Sequence, residues 1–145
     1  MPRVEYSTSG NLKQGADPAQ SELNGSGTCG EIAGIVIGNV LWPDSTTTPA
    51  NKVKKTTNSE AQMDGIVGVS AGTYALDAAA SYFQDGDVAA GVVAGQTGGA
   101  KMFARSNGLL DTYANIPAGE WTRSMGTCIN ATDVQMQIGA TQQKP

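Results

Sequence analysis

A chain of 145 residues, 39% of them hydrophobic, has the length of one domain and enough apolar material for one core. Its net charge of −4, with cationic residues nowhere denser than the "KVKK" run at Lys52, Lys54 and Lys55, argues against a nucleic-acid backbone as partner. Histidine is absent, which excludes Ser-His-Asp and Cys-His nucleophile activation, imidazole-ligated zinc and a histidine proton shuttle.

Residues 1–30 are polar and rich in Gly and Ser. Val4, Tyr6, Leu12 and Leu23 fit neither a helical nor a strand period, so the segment reads as an extended N-terminal arm that becomes ordered on a partner surface. The opening residues lack the apolar stretch of a secretion signal, and nowhere do about 18 apolar residues run together. A soluble protein without membrane contact is expected.

Residues 31–145 read as a single β domain. The run "EIAGIVIGNVLWP" predicts one buried strand bent at Gly38, or two short strands, stopped by Pro43. From 43 to 63 no apolar period holds, which predicts a long surface loop with at most an edge strand around Val53. Beyond residue 64, short runs punctuated by Gly, Asp-Gly and Asn-Gly carry the signature of antiparallel strands joined by tight turns. "LDAAASYF" (76–83) is the one helical candidate, too short for more than a turn or two. In the last run, Val134, Met136 and Ile138 alternate with Gln135 and Gln137, so one face meets a core and the other meets water. The fold class is therefore all-β: a small antiparallel β-sandwich or β-barrel preceded by the arm.

"GQTGGAKM" (95–102) approaches the phosphate-cradling pattern G-x-x-x-x-G-K-[ST], with "GVVA" before it as a candidate strand. Ala100 replaces the Gly before the Lys, Met102 replaces the magnesium-holding hydroxyl, and Gly108 interrupts any following helix. The stretch reads as a turn between two strands, with Gly98 and Gly99 at positive φ, and with Lys101 and Phe103 on the strand face opposite Met102. Asp64, Asp85 and Asp87 sit in Asp-Gly or turn contexts and read as hairpin residues; no acidic pair is singled out for catalysis. Cys29 and Cys128 leave open one disulfide or two buried thiols. No catalytic, cofactor-binding or metal site is predicted, and a non-enzyme is expected. Most aromatic residues are expected to fill the core. Trp121 and Arg123 in "EWTR" stand at i and i+2, on one face of a strand, where they could stack as an exposed contact face.

The run "DGIVGVSAGTYALDAAASYFQDGDVAAGVVAGQTGGAKMFA" followed by "IPAGEWTRSMGTCINATDVQMQIGA", with the polar arm before it, resembles the small decoration (cement) proteins of tailed-bacteriophage heads. The resemblance implies a structural virion protein, made in the host cytoplasm. It would bind the exterior of an assembled capsid as a homotrimer and clamp neighbouring major capsid proteins. Under that reading Arg3, Val4, Tyr6 and Leu12 of the arm are the expected capsid contacts, because the arm has too few apolar residues to fold alone. The alternative is a carbohydrate- or receptor-binding β module of a fibre or adhesin, with Trp42, Tyr113 or Trp121 as an exposed platform.

Overall fold

The computed structural model describes residues 25–47 and 51–145. These form two antiparallel sheets, so the all-β expectation holds. The first sheet has the order β1 (Gly25–Thr28), β5 (Ala79–Phe83), β4 (Gly68–Ser70), β2 (Val40–Asp44) and β3 (Lys52–Lys55). It curls until its outer strands meet. Cys29, just past β1, forms a parallel bridge with Val53 of β3, and the Gly30 N–H donates to the Val53 carbonyl at 2.9 Å. Inside the curl lie Cys29, Ile35, Leu41, Val53, Ala80 and Tyr82. The Tyr82 ring lies against the Gly25 backbone, where an added Cβ would fall 2.1 Å from the ring, so β1 has no room for a side chain there.

The second sheet has the order β6 (Val88–Ala89), β10 (Val134–Met136), β9 (Trp121–Cys128), β7 (Lys101–Ala104) and β8 (Leu110–Asp111). A last strand, β11 (Thr141–Gln143), pairs with the first residues of β9. Between the sheets lies the larger core. Val40, Val69 and Phe83 come from the outer wall of the curled sheet, Met102, Met125, Val134 and Met136 from the second sheet, and Met63 from the short helix α1 (Glu60–Asp64). Burying each such side chain contributes about 1.5–3 kcal/mol before entropy is counted. Adjacent Val40 and Leu41 are both fully buried because β2 has a core on each face, so "NVLW" shows no alternation. The β10 run has one core face only, and its predicted period of two is observed: Val134 and Met136 are buried, while Ile138 packs at the core's edge.

Several local expectations are corrected. Residues 25–30, assigned to the arm, belong to the curled sheet as β1 and the seam at Cys29. Of "EIAGIVIGNVLWP", only the end is strand: Ile32, Val36 and Ile37 are exposed, and Ile35 makes an isolated bridge with Tyr74. Pro43 lies within β2 rather than ending it, because β4 pairs only with Val40 and Leu41, so the missing N–H falls where β2 has no neighbour on that side. The expected 43–63 loop does carry the edge strand expected around Val53, as β3, but it also contains the unexpected helix α1. "LDAAASYF" is not helical; its second half is β5, where Ala80 fits the cramped interior.

Nor is "GVVA" a strand, since β6 ends at Ala89 and pairs with β10. "GQTGGAKM" therefore closes no hairpin but turns the chain into β7. The turn is fixed by Ala100 N–H to the Thr97 carbonyl at 3.0 Å, and only Gly99 of the two glycines has positive φ, at 92°. Along β7, Lys101 is exposed, Met102 buried and Phe103 half-buried, the alternation expected. Gly99→Val should cost about 1–2 kcal/mol, because an L side chain strains at this φ although nothing lies near the missing Cβ. Lys101→Ala should stay within about 0.5 kcal/mol. Denaturant midpoints of the two variants check the contrast.

The cysteines are free thiols in different cores, Cys29 inside the curl and Cys128 between the sheets, which settles the alternative left open above. Burial pushes the Cys128 thiol pKa up.

Asp44 ties off the β2–β3 connection. Its carboxylate accepts from the Thr46 hydroxyl at 2.6 Å and the Thr46 N–H at 2.9 Å, and it pairs with Lys54 at 3.0 Å. The Thr46 hydroxyl foremost, then the Thr46 N–H and Lys54, lower its pKa from 3.8 to about 2. A carboxyl depressed on folding stabilises the fold above its unfolded pKa, and that contribution fades as pH falls from about 4 towards 2. The melting-temperature gap between wild type and Asp44→Asn should therefore be full at neutral pH and close over that window.

Candidate functional site

At one end of the curled sheet two loops, 31–39 and 71–78, lie side by side. The Ile35 and Tyr74 backbones exchange both hydrogen bonds at 2.8 Å, which turns the Ile35 side chain inward. The loops are built rather than loose. Gly34, at φ +86°, passes so close to the Tyr74 carbonyl that a Cβ would meet it at 2.9 Å. Buried Asn39 accepts from the Val36 N–H at 2.9 Å and donates to the Gly108 carbonyl at 3.3 Å. Glu31 accepts from the Lys55 N–H at 2.8 Å, and Asp77 pairs with Lys52 at 2.6 Å.

With Ile35 turned in, its neighbours turn out. Ile32 is 89% exposed, Val36 50%, Ile37 43% and Leu76 42%. Ile32, Ala33, Val36, Tyr74, Ala75 and Leu76 line an apolar groove of about 260 Å³. Each of these side chains forgoes, in proportion to its exposure, part of the roughly 1.5–3 kcal/mol that full burial would bring. Ile32, Val36 and Leu76 thus form an exposed apolar cluster on ordered loops, with Ile37 exposed nearby in the chain. Sequence reasoning placed Ile32, Val36 and Ile37 in a buried strand and Leu76 at the start of the one helical candidate. The glycines that bracket "GIVIG" were the available signal, because they allow the chain to turn where a strand would run straight.

The residues singled out from the sequence fall elsewhere. Arg3, Val4, Tyr6 and Leu12 lie outside the described residues. Trp121 and Arg123 are both half-buried: Trp121 packs against the inter-sheet core, and its backbone N–H donates to Asn58 at 2.9 Å. The Arg123 guanidinium donates to the carbonyls of Gly139 at 2.7 Å and of Met63 and Asp64 at 3.0 Å each, closing the C-terminus of α1. Trp42 donates from its indole to the Lys55 carbonyl at 3.2 Å. The Tyr113 ring is tilted by 56° against that of Phe103 with the ring centres 5.1 Å apart, and the Lys144 ammonium lies 4.8 Å from the Tyr113 ring centre. Each of these rings is engaged in its own neighbourhood.

The carboxylates act locally as caps. Asp87 accepts from the Gln84 N–H at 2.7 Å across the Asp85–Gly86 turn, so the turn expected there is present, but it joins β5 to β6 in different sheets and closes no hairpin, and Asp64 ends α1 instead of lying in a hairpin turn. Burial alone would raise the pKa of Asp111. Asn115, the Thr112 N–H and Arg105 outweigh it and hold this carboxyl below its ordinary range. At Asp133, burial is likewise outweighed by the Gly91 N–H and the Asn130 and Thr132 side chains. Among the described residues no three His, Cys, Asp or Glu side chains gather in a metal-binding group, and no helix is long and apolar enough to cross a membrane. In the "GQTGGAKM" turn the Gly99 N–H donates to the Cys128 carbonyl at 2.7 Å and is therefore committed within the fold.

No family model, curated protein or solved structure matches the chain.

Proposed function

We propose that this chain is a structural docking protein that binds the exterior of an assembled phage capsid and stabilises it, the reading that the Gly/Ala/Val-rich sequence texture implied. The observation that carries it is the apolar end of the curled sheet, where ordered loops hold Ile32, Val36, Ile37 and Leu76 in solvent. A partner covering that end recovers their burial without having to order the loops first. The residues before β1 supply a second contact, and a homotrimer presents several such surfaces at once, adding avidity on a repeating lattice. The capping duties of Asp44, Asp87, Asp111 and Asp133 fit a protein whose carboxylates maintain turns.

Binding only the assembled shell stabilises it by mass action, about 2.7 kcal/mol per site at a hundredfold excess over Kd. Purified protein added to expanded capsids with the matching major capsid protein should therefore raise the temperature at which a dye first reaches the packaged DNA. Co-sedimentation should saturate at a fixed stoichiometry. Capsids that leave the protein in the supernatant at every concentration would refute the reading.

A further inference from the structure

The apolar end does not stop at the curled sheet. Ile37 lies against the loop that follows β6: an added Cβ on Gly91 would fall 3.7 Å from Ile37 Cδ1, and one on Gly38 would fall 2.6 Å from the Val92 carbonyl oxygen. That loop is in turn laced to the turn between β9 and β10, through the Val93 N–H to the Thr132 carbonyl at 3.2 Å and the Gln96 N–H to the Ala131 carbonyl at 3.1 Å. On the far side stands Ile129, 52% exposed. Loops of both sheets thus meet at one end of the domain. Residues 32–39, 71–76 and 88–100 contain no charged residue, in a chain with 9 Lys and Arg and 13 Asp and Glu. The charges at the margins are engaged within the chain. Glu31 accepts from the Lys55 N–H at 2.8 Å, Asp77 pairs with Lys52 at 2.6 Å, and Asp133 accepts from the Gly91 N–H at 2.9 Å and the Asn130 amide at 3.1 Å.

We infer that these loops form one docking face across both sheets, from Ile32 to Ile129, and that the capsid surface it meets is apolar and uncharged, an assignment that rests on the docking reading. Extent is the first reason. Four aliphatic side chains, three of them about half exposed, fall short of the roughly 800 Å² that each side of a stable interface buries, and the loops after β6 and β9 adjoin them. Charge is the second. A charged group of the partner pressed against the middle of this face would lose its hydration and meet no charged side chain there, a cost that an apolar group does not incur. Depletion of charge is also what distinguishes the centre of an interface from the rest of a protein surface.

The test is co-sedimentation of full-length Ile129→Asp and Ile129→Lys with expanded capsids, beside wild type and Gln142→Glu. Gln142 pairs with Thr122, at the opposite end of β9 from Ile129. Ile129 is exposed and supports no core, so both variants should melt with the wild type. Each should weaken association about tenfold, because an aliphatic contact is lost and a charge of either sign is desolvated. Gln142→Glu should leave association unchanged. Position 129 variants that bind like wild type would end the face short of Ile129 and overturn the inference. A difference of more than about threefold between the two variants would reveal a charged partner surface and overturn it as well. Self-association of the free wild-type protein that both variants abolish would give the face to a second copy instead. Wild type that stays in the supernatant would refute the docking reading itself, and this assignment with it.

Discussion

Replacing Ile32 and Leu76 together by Asp should reduce capsid association by about a hundredfold or more while leaving the melting temperature of the free protein unchanged. Covering the exposed fractions of these two side chains is worth roughly 2–4 kcal/mol, and about 1.4 kcal/mol is a factor of ten in affinity. An unpaired carboxylate forced into an apolar contact adds a desolvation cost to that loss. The fold is spared because Ile32 is 89% and Leu76 42% exposed, so neither supports a core. Co-sedimentation of the double variant with capsids measures the first effect and calorimetry of the free protein the second. Undiminished association would remove the apolar end from the docking surface. Deletion of residues 1–15 should also weaken association, since that segment supplies the second contact; association unchanged by the deletion would remove it from the docking surface.

The second large effect concerns the curled sheet itself. A Cβ on Gly68 would lie 2.0 Å from the Phe83 carbonyl oxygen and 2.8 Å from the Tyr82 ring. The carbonyl belongs to β5, the neighbour with which β4 pairs at Val69 and Ser70, so it cannot withdraw without opening that ladder. Gly68→Ala should cost about 3 kcal/mol and lower the melting temperature by about 10 °C. Gly86→Ala is the control, since that glycine has φ +92° with nothing within 4 Å of a Cβ and should lose only about 1 kcal/mol. If both variants melt together, steric closure at Gly68 does not hold the sheet.

How much of this could be read from the chain depends on how many faces each element buries. β10 buries one face, and its alternation of Val134, Gln135 and Met136 announced both its class and its orientation. β2 buries two, so its apolar run merged with the loop ahead of it, and exposed Ile32, Val36 and Ile37 could not be told from buried Val40 and Leu41. Hydrophobicity marks what can be buried, and the decision at 31–38 was made by Gly34, Gly38 and the pairing of Ile35 with Tyr74, almost forty residues away in the chain. The helix at Glu60–Asp64 had a local signal that was passed over. "SEAQ" places Ser59 three residues before Gln62, and in the fold the Ser59 hydroxyl accepts from the Gln62 N–H at 3.3 Å. Five helical residues are too few to show a period, so the cap was its only trace. The joining of Ile37 to Gly91, and of Val93 to Thr132, had none, since these loops meet only when the two sheets do.

The seam at Cys29 and Val53 has a mechanical meaning. β1 is the strand through which residues 1–24 are joined to the domain, and it is gripped on both sides, by the four-residue ladder to β5 and by the bridge to β3. Ladder hydrogen bonds lie across the strand direction. Tension applied to the leading segment along β1 therefore loads them together in shear rather than peeling them one by one. A pull along β1 meets the whole four-residue ladder to β5 at once, with the bridge at Cys29 directly behind it.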